Sequence, residues 1–216
     1  MIPQWGMERV IFMNNIKLNT RVCSDCPLNE QVIGKKSCKI KSPEFCCHMQ
    51  EIMDADFHIG CPPPQHALYQ LTILRSIGIA NFLLTYAISH GYDTNTAEDL
   101  YVLGLMSSVG YLNNPCGTDF EKRSSEIAIR NGLYLHKQEF AEAIACQATF
   151  VNQPSEILQL LWLACMCISA EGDYVGYMYE YEQIRMAYKS NKYNKNRFRD
   201  VCKITEYLKE HYPDYE

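Results

Sequence analysis

Six of the chain's eleven cysteines stand between Cys23 and Cys61, at spacings that suit metal ligation. Cys23 and Cys26 form a Cys-x2-Cys knuckle, which lets two thiolates hold one ion. Cys38 and Cys46 or Cys47 follow at the separation where a second pair completes a tetrahedral zinc site. His48 could fill one of those places with a ring nitrogen, and Cys61 with His58 brings nominal ligands for a second ion. Zinc is the preferred occupant. An iron–sulfur cluster is the alternative, because soft thiolates suit both. The third reading is a reduced, metal-free loop with its cysteines packed as small hydrophobes. A segment this short and polar has little core, so a bound metal would supply folding free energy directly.

A second chemical pattern lies near residue 200. Lys189, Lys192, Lys195, Arg197, Arg199 and Lys203 interleave with Tyr188, Tyr193 and Phe198. Charge mixed with aromatic faces suits single-stranded nucleic acid. The formal net charge of −5 argues against it, so a solvated linker and the exposed face of a last helix are preferred. The cysteines after Cys61, Cys116, Cys146, Cys165 and Cys202 among them, fall in segments that read as helical or helix-flanking and are expected as small core residues.

The frame for these groups is a globular chain: 47% hydrophobic and 21% charged residues exclude disorder. At 216 residues there is room for one domain and a small appendage. The apolar runs 77–88 and 157–168 are about 12 residues long, where a bilayer needs roughly 20. Glu8 and Arg9 interrupt the apolar patch that an export signal would need, so the expected location is the cytoplasm. Pro62-Pro63-Pro64 continues neither a helix nor a central strand. It divides a Cys-rich segment, 1–64, from a helical domain, 65–216.

After that break helix follows helix. Tyr69, Ile73, Ile77, Ala80, Leu84 and Ala87 recur at spacings of three and four, with Leu74, Leu83 and Ile88 widening the face, and predict a helix over 65–90 capped by Gly91. A second helix, 97–108, carries Leu100, Tyr101, Gly104, Leu105 and Ser108 on one side, with Thr96 or Thr94 as N-cap. Further helices are expected over 120–131, 137–148, 155–168, 176–188 and 197–211. No strand series or internal repeat is evident, so the fold class is all-α.

The end of the second helix, Gly104-Leu105-Met106-Ser107-Ser108-Val109-Gly110-Tyr111-Leu112, resembles the G-L-L-H-D-I-G-Y-L signature of the HD superfamily, mostly metal-dependent phosphohydrolases. Upstream, Arg75-Ser76-Ile77-Gly78-Ile79-Ala80 looks like the family's H-S-x-x-V-A. Downstream, Leu163-Ala164-Cys165-Met166-Cys167-Ile168, then Gly172, Val175-Gly176, Ile184 and Tyr188, resembles a third block, L-A-D-M-x-I followed by G, V-G and R-L-x-x-I-x-x-R-Y. The three blocks come in the family's order and cover about residues 66–190. The resemblance implies an HD-like helical bundle with the small Cys-rich segment appended to it.

The family holds its metal with a His, an adjacent His-Asp pair and a later Asp. Those positions here are Arg75, Ser107, Ser108 and Cys165. A guanidinium has no lone pair to give and repels a cation. Serine hydroxyls ligate divalent metals poorly, and a cysteine does so only as thiolate. The resemblance therefore implies a protein without HD catalysis. It would act by binding a protein partner or a phosphorylated ligand such as a nucleotide, as a regulator or inhibitor. Small HD proteins of this kind occur in bacteria and their phages, which makes a host or defence enzyme one conceivable target. The alternative is a nucleotide or phosphate-ester hydrolase with a rebuilt metal site. His66 and His90 cannot share one, being 24 residues and about 36 Å apart along one helix. Arg75 itself could grip phosphate through paired hydrogen bonds, or simply fill the vacated space and bond to helix-end carbonyls.

Overall fold

In the computed structural model, residues 64–111, 119–130 and 138–216 are described, and they fold into seven α-helices with no strand among them. These are α1 (Pro64–Ser89), α2 (Thr94–Met106), α3 (Phe120–Arg130), α4 (Gln138–Cys146), α5 (Glu156–Cys167), α6 (Tyr177–Lys189) and α7 (Lys195–His211). Two single 3-10 turns, Val109–Tyr111 and Pro213–Tyr215, and one isolated bridge between Ile168 and Tyr174 complete the order. Cys23, Cys26, Cys38, Cys46, Cys47, His48 and Cys61 lie outside the described residues, as do Cys116 and His136. None of the described helices is long and apolar enough to cross a membrane.

Helices α1 and α2 pack antiparallel, with Gly104 near the end of α2 lying against the backbone of Ile79 and Ala80 in α1. The buried stripe of α1 is Ser76, Ile79, Ala80, Leu83, Leu84 and Ala87, spaced as one face of a 3.6-residue helix. Ile77 lies at its edge, and Ile88, expected on it, is exposed. At the end of α1, Gly91 takes φ +76°, while its amide bonds to Ile88 O and that of Tyr92 to Ala87 O. This is the left-handed cap that glycine adopts without strain. The N-cap of α2 is Asp93, neither Thr96 nor Thr94. Its carboxylate accepts the amides of Asn95 and Thr96 at 2.9 and 3.1 Å, together with the Thr96 hydroxyl at 2.6 Å. Two acceptor oxygens and a negative charge at a helix N-terminus outcompete a lone hydroxyl, and those hydrogen bonds hold the Asp93 carboxyl below its usual range.

Helix α5 is the centre of the fold. Leu158, Leu160, Leu161, Trp162, Leu163, Ala164, Met166 and Cys167 are all buried, which covers every side of the helix. Ser155 caps it through Leu158 N. α5 touches α1, α4 and α6, while α6 pairs with α7. Trp162 lies between Phe150 and Tyr207, its ring parallel to the first and edge-on to the second. The turn after α6 is closed by Asn191 at φ +56°, with Lys192 N bonding to Ala187 O. That reversal sends α7 back along α6 and sets the direction of Tyr193 and Arg197.

Candidate functional site

Arg75 lies in α1 where the last turn of α5 passes it. Its Nη2 donates to the Cys165 carbonyl at 2.8 Å and pairs with Glu180 Oε1 of α6 at 3.4 Å. The last carbonyls of a helix have no partner within it and carry the negative end of its dipole, so a guanidinium is well placed there. Even so, 32% of the Arg75 side chain is exposed, against 14% for Glu180.

From Cys165 a run of polar contacts leads inward. The Cys165 thiol donates to Gln147 Oε1 at 3.5 Å, and Gln147 Nε2 donates to Ser107 O at 2.6 Å and to Ile144 O at 3.1 Å. Ser107 Oγ bonds to Gly104 O at 2.8 Å and stands 3.4 Å from Ser108 Oγ. Ser107, Ser108 and Gln147 are all buried. Arg75, Cys165, Ser107 and Ser108 thus belong to one connected set, with Gln147 as the link. Burial pushes the Cys165 thiol up to about 11, with Arg75 opposing the rise, so it stays protonated at neutral pH. Among the described residues no group of three His, Cys, Asp or Glu side chains could hold a metal ion.

A second Arg–Glu pair joins α7 to α3. Arg197 of α7 reaches Glu121 of α3 at 2.7 Å, and its guanidinium lies 5.4 Å from the centre of the Phe120 ring. Phe120 stacks on Tyr111 at 3.8 Å, and Gly110 N donates to Ser124 Oγ at 2.8 Å, which ties the 3-10 turn to α3. Burial pushes Tyr111 up to about 12. Glu121 and Tyr193 add to the rise, while Arg197 and Arg75 oppose it. Tyr193 is raised by burial and feels the same two arginines together with Glu121 and Glu180. Both phenols thus sense charges supplied by α1, α3 and α7.

The basic stretch is only in part the solvated linker and exposed helix face expected of it. Lys189, Lys192, Lys195, Arg199 and Lys203 are indeed exposed, but Tyr193, just before α7, and Arg197 in its first turn are partly buried. The aromatic ring of Phe198 is already taken up between Tyr181 and Tyr188. Glu121, Gln147 and Glu180 had no signal in the sequence, because their partners lie 18 to 105 positions away. No family model, curated protein or solved structure matches the chain.

Glu180 supplies a testable titration. Burial raises its carboxyl above the usual range, with Arg75 pulling down and Glu171 pushing up. The folded state then holds this proton to a higher pH than the unfolded chain does. The group's contribution to stability is greatest below its unfolded value and is lost as pH rises through the folded one. Glu180→Gln mimics the neutral form. It is expected to melt up to a few degrees above the parent at pH 7.5, and the gap should close by pH 4. A variant that melts below the parent at pH 7.5, with the difference shrinking on acidification, would show that the charged Arg75–Glu180 pair stabilises the fold.

Proposed function

We propose that this chain is a non-catalytic HD-like protein that acts by binding, with Arg75 holding a phosphoryl group that the protein does not cleave. The observation that carries this reading is the company Arg75 keeps. A guanidinium about one third exposed is fixed between the Cys165 carbonyl and Glu180, and Cys165 leads through Gln147 to the buried Ser107. A guanidinium so held loses little freedom when it meets an anion and presents paired donors to phosphate oxygens. The neutral Cys165 thiol and the serine hydroxyls offer a cation nothing comparable. The same positions carry the resemblance to the HD blocks, so loss of the metal ligands and gain of the arginine form one change. Regulation or inhibition of a partner enzyme is the role such a binder would serve. Structural zinc at Cys23, Cys26, Cys38 and Cys46 or Cys47, with His48 and Cys61 in reserve, is the accompanying assignment for the segment before α1.

The test is calorimetric titration with inorganic orthophosphate, run beside a phosphatase and phosphodiesterase screen with Mn2+ and Mg2+. Orthophosphate is expected to bind, Arg75→Gln to weaken it about tenfold, and no substrate to turn over. Metal-dependent turnover would sink the reading in favour of a hydrolase. Metal analysis of the purified chain reads the zinc assignment separately, and visible absorbance would replace zinc with an iron–sulfur cluster.

A further inference from the structure

We propose that the α6–α7 hairpin has complementary ends, and that its basic elbow docks on the acidic, aromatic end of a second copy of the chain. The contact uses other residues than the Arg75 reading and is independent of it.

Charge along the hairpin is sorted by position. Residues 183–199 hold the end of α6, the turn and the start of α7, and they contain six Lys or Arg and no Asp or Glu. Residues 170–182, at the start of α6, contain four acidic side chains and no Lys or Arg. Residues 204–216, at the end of α7, contain four acidic side chains against Lys209. Because α7 runs back along α6, the two acidic stretches come together: a methyl carbon on Gly176 would stand 2.8 Å from the Glu216 carbonyl oxygen. The elbow lies at the opposite end, about 20 Å away along the 13 residues of α6. That exceeds the screening length of roughly 8–10 Å in physiological salt, so neither end neutralises the other within one molecule. Contact between them takes a second molecule.

Both ends are open and already shaped. Arg185 and Arg197 are taken up by Glu182 and Glu121, which leaves Lys189, Lys192 and Lys195 exposed on the elbow. Among the described residues no ion pair engages these lysines, nor Asp173, Asp214 and Glu216 at the other end. The elbow is held by Asn191 N on Tyr188 O and Lys192 N on Ala187 O, and Asn194 caps α7 through the amides of Asn196 and Arg197. A fixed turn loses little freedom on docking. At the acidic end Tyr174, 56% exposed, lies parallel to Phe82 at 6.1 Å, and Phe82 packs edge-on against Tyr215 at 5.7 Å. A ring backed by a stack and open to solvent is a platform for an ammonium group. Asp173 precedes that ring, and Asp214 and Glu216 flank Tyr215, all three exposed. Met186, exposed one turn before Lys189, adds apolar area to the elbow.

A second copy is the occupant because one chain supplies both halves of the contact. The two halves are different patches, so the association is head-to-tail. It propagates as an open chain or closes as a ring, and does not stop at a symmetric pair.

Sedimentation equilibrium of the full chain under reducing conditions tests this. At about 50 mM salt the average mass should climb with concentration above that of one chain, and about 500 mM salt should weaken association roughly tenfold. The elbow variant carries Lys189→Gln, Lys192→Gln and Lys195→Gln, and the face variant Asp173→Asn, Asp214→Asn and Glu216→Gln. Each should associate at least about tenfold more weakly than the parent. Mixed in equal amounts they should form a pair and nothing larger, since one intact elbow meets one intact face, and that recovery shows both to be folded. Tyr174→Ala should weaken association about threefold and Tyr174→Phe should restore it. A parent that stays monomeric at low salt overturns the proposal. So does a mixture that stays monomeric while the parent associates, or an assembly that both variants form unchanged.

Discussion

Gly104→Ala is expected to destabilise the fold by about 2 kcal/mol, although the same change inside an isolated helix would stabilise it. Two effects compete. Alanine gains about 1 kcal/mol of helix propensity over glycine. Against that, a methyl carbon at position 104 would stand 2.5 Å from Ala80 N and 2.9 Å from the Ile79 carbonyl carbon, and nearer still to Ala80 Cα. These are backbone atoms of α1, so no side chain can rotate away and the two helices must separate. Leu100, one helical turn before Gly104 and on its face, is fully buried in the same layer. Separation would open that layer and also disturb Ser107, whose hydroxyl bonds to the Gly104 carbonyl. Urea unfolding measures the result. A midpoint at or above that of the parent would mean that α1 and α2 move apart freely and that the close approach has no energetic role.

The second large effect comes from putting metal ligands where the HD resemblance says they are missing. The combined change Arg75→His, Ser107→His, Ser108→Asp and Cys165→Asp is expected to make the melting temperature depend on Mn2+. At about a hundred times the dissociation constant a ligand adds roughly 2.7 kcal/mol. For a chain of this size that corresponds to roughly 5–10 °C. Mn2+ is the informative ion, because imidazole and carboxylate hold it well and thiolates poorly. Cysteines before α1 would therefore not mimic the effect. Without metal the variant should melt below the parent, since larger and charged groups enter buried positions at Ser107 and Ser108. A folded variant with no response to Mn2+ would end the HD interpretation of the three blocks, whatever Arg75 binds.

Most of the helical frame was legible in the residues. Periodicity located all seven described helices to within a few positions, and Gly91 and Ser155 marked a stop and a start because each solves a local hydrogen-bonding need. The failures were also local. Asp93 took the cap from the threonines because a carboxylate satisfies more donors, and Ile88 lies outside the buried stripe although its residue type suggested otherwise. The site was legible only as positions. Arg75, Ser107, Ser108 and Cys165 could be picked out by spacing, whereas Gln147, Glu121 and Glu180 could not. Nothing in a linear pattern says which carboxylate among twenty-five acidic residues will meet a given arginine. That choice is made by how α6 and α7 fold back, and the Asn191 turn that directs them carries no chemical signature of its own.

The two Arg–Glu pairs have a consequence for how the native state opens. They join residues 105 and 76 positions apart, and each fastens the α6–α7 pair to an earlier helix. Helix α6 buries only Tyr177 fully, while α7 buries Val201, Ile204, Thr205 and Leu208. By comparison α5 is enclosed on every side. Amide hydrogens of α6 should therefore exchange with solvent sooner than those of α5, through excursions that lift this edge while the centre holds. Each such excursion breaks both clamps at once. An anion held at Arg75 would fasten that edge further, and slower exchange along α6 would register its presence.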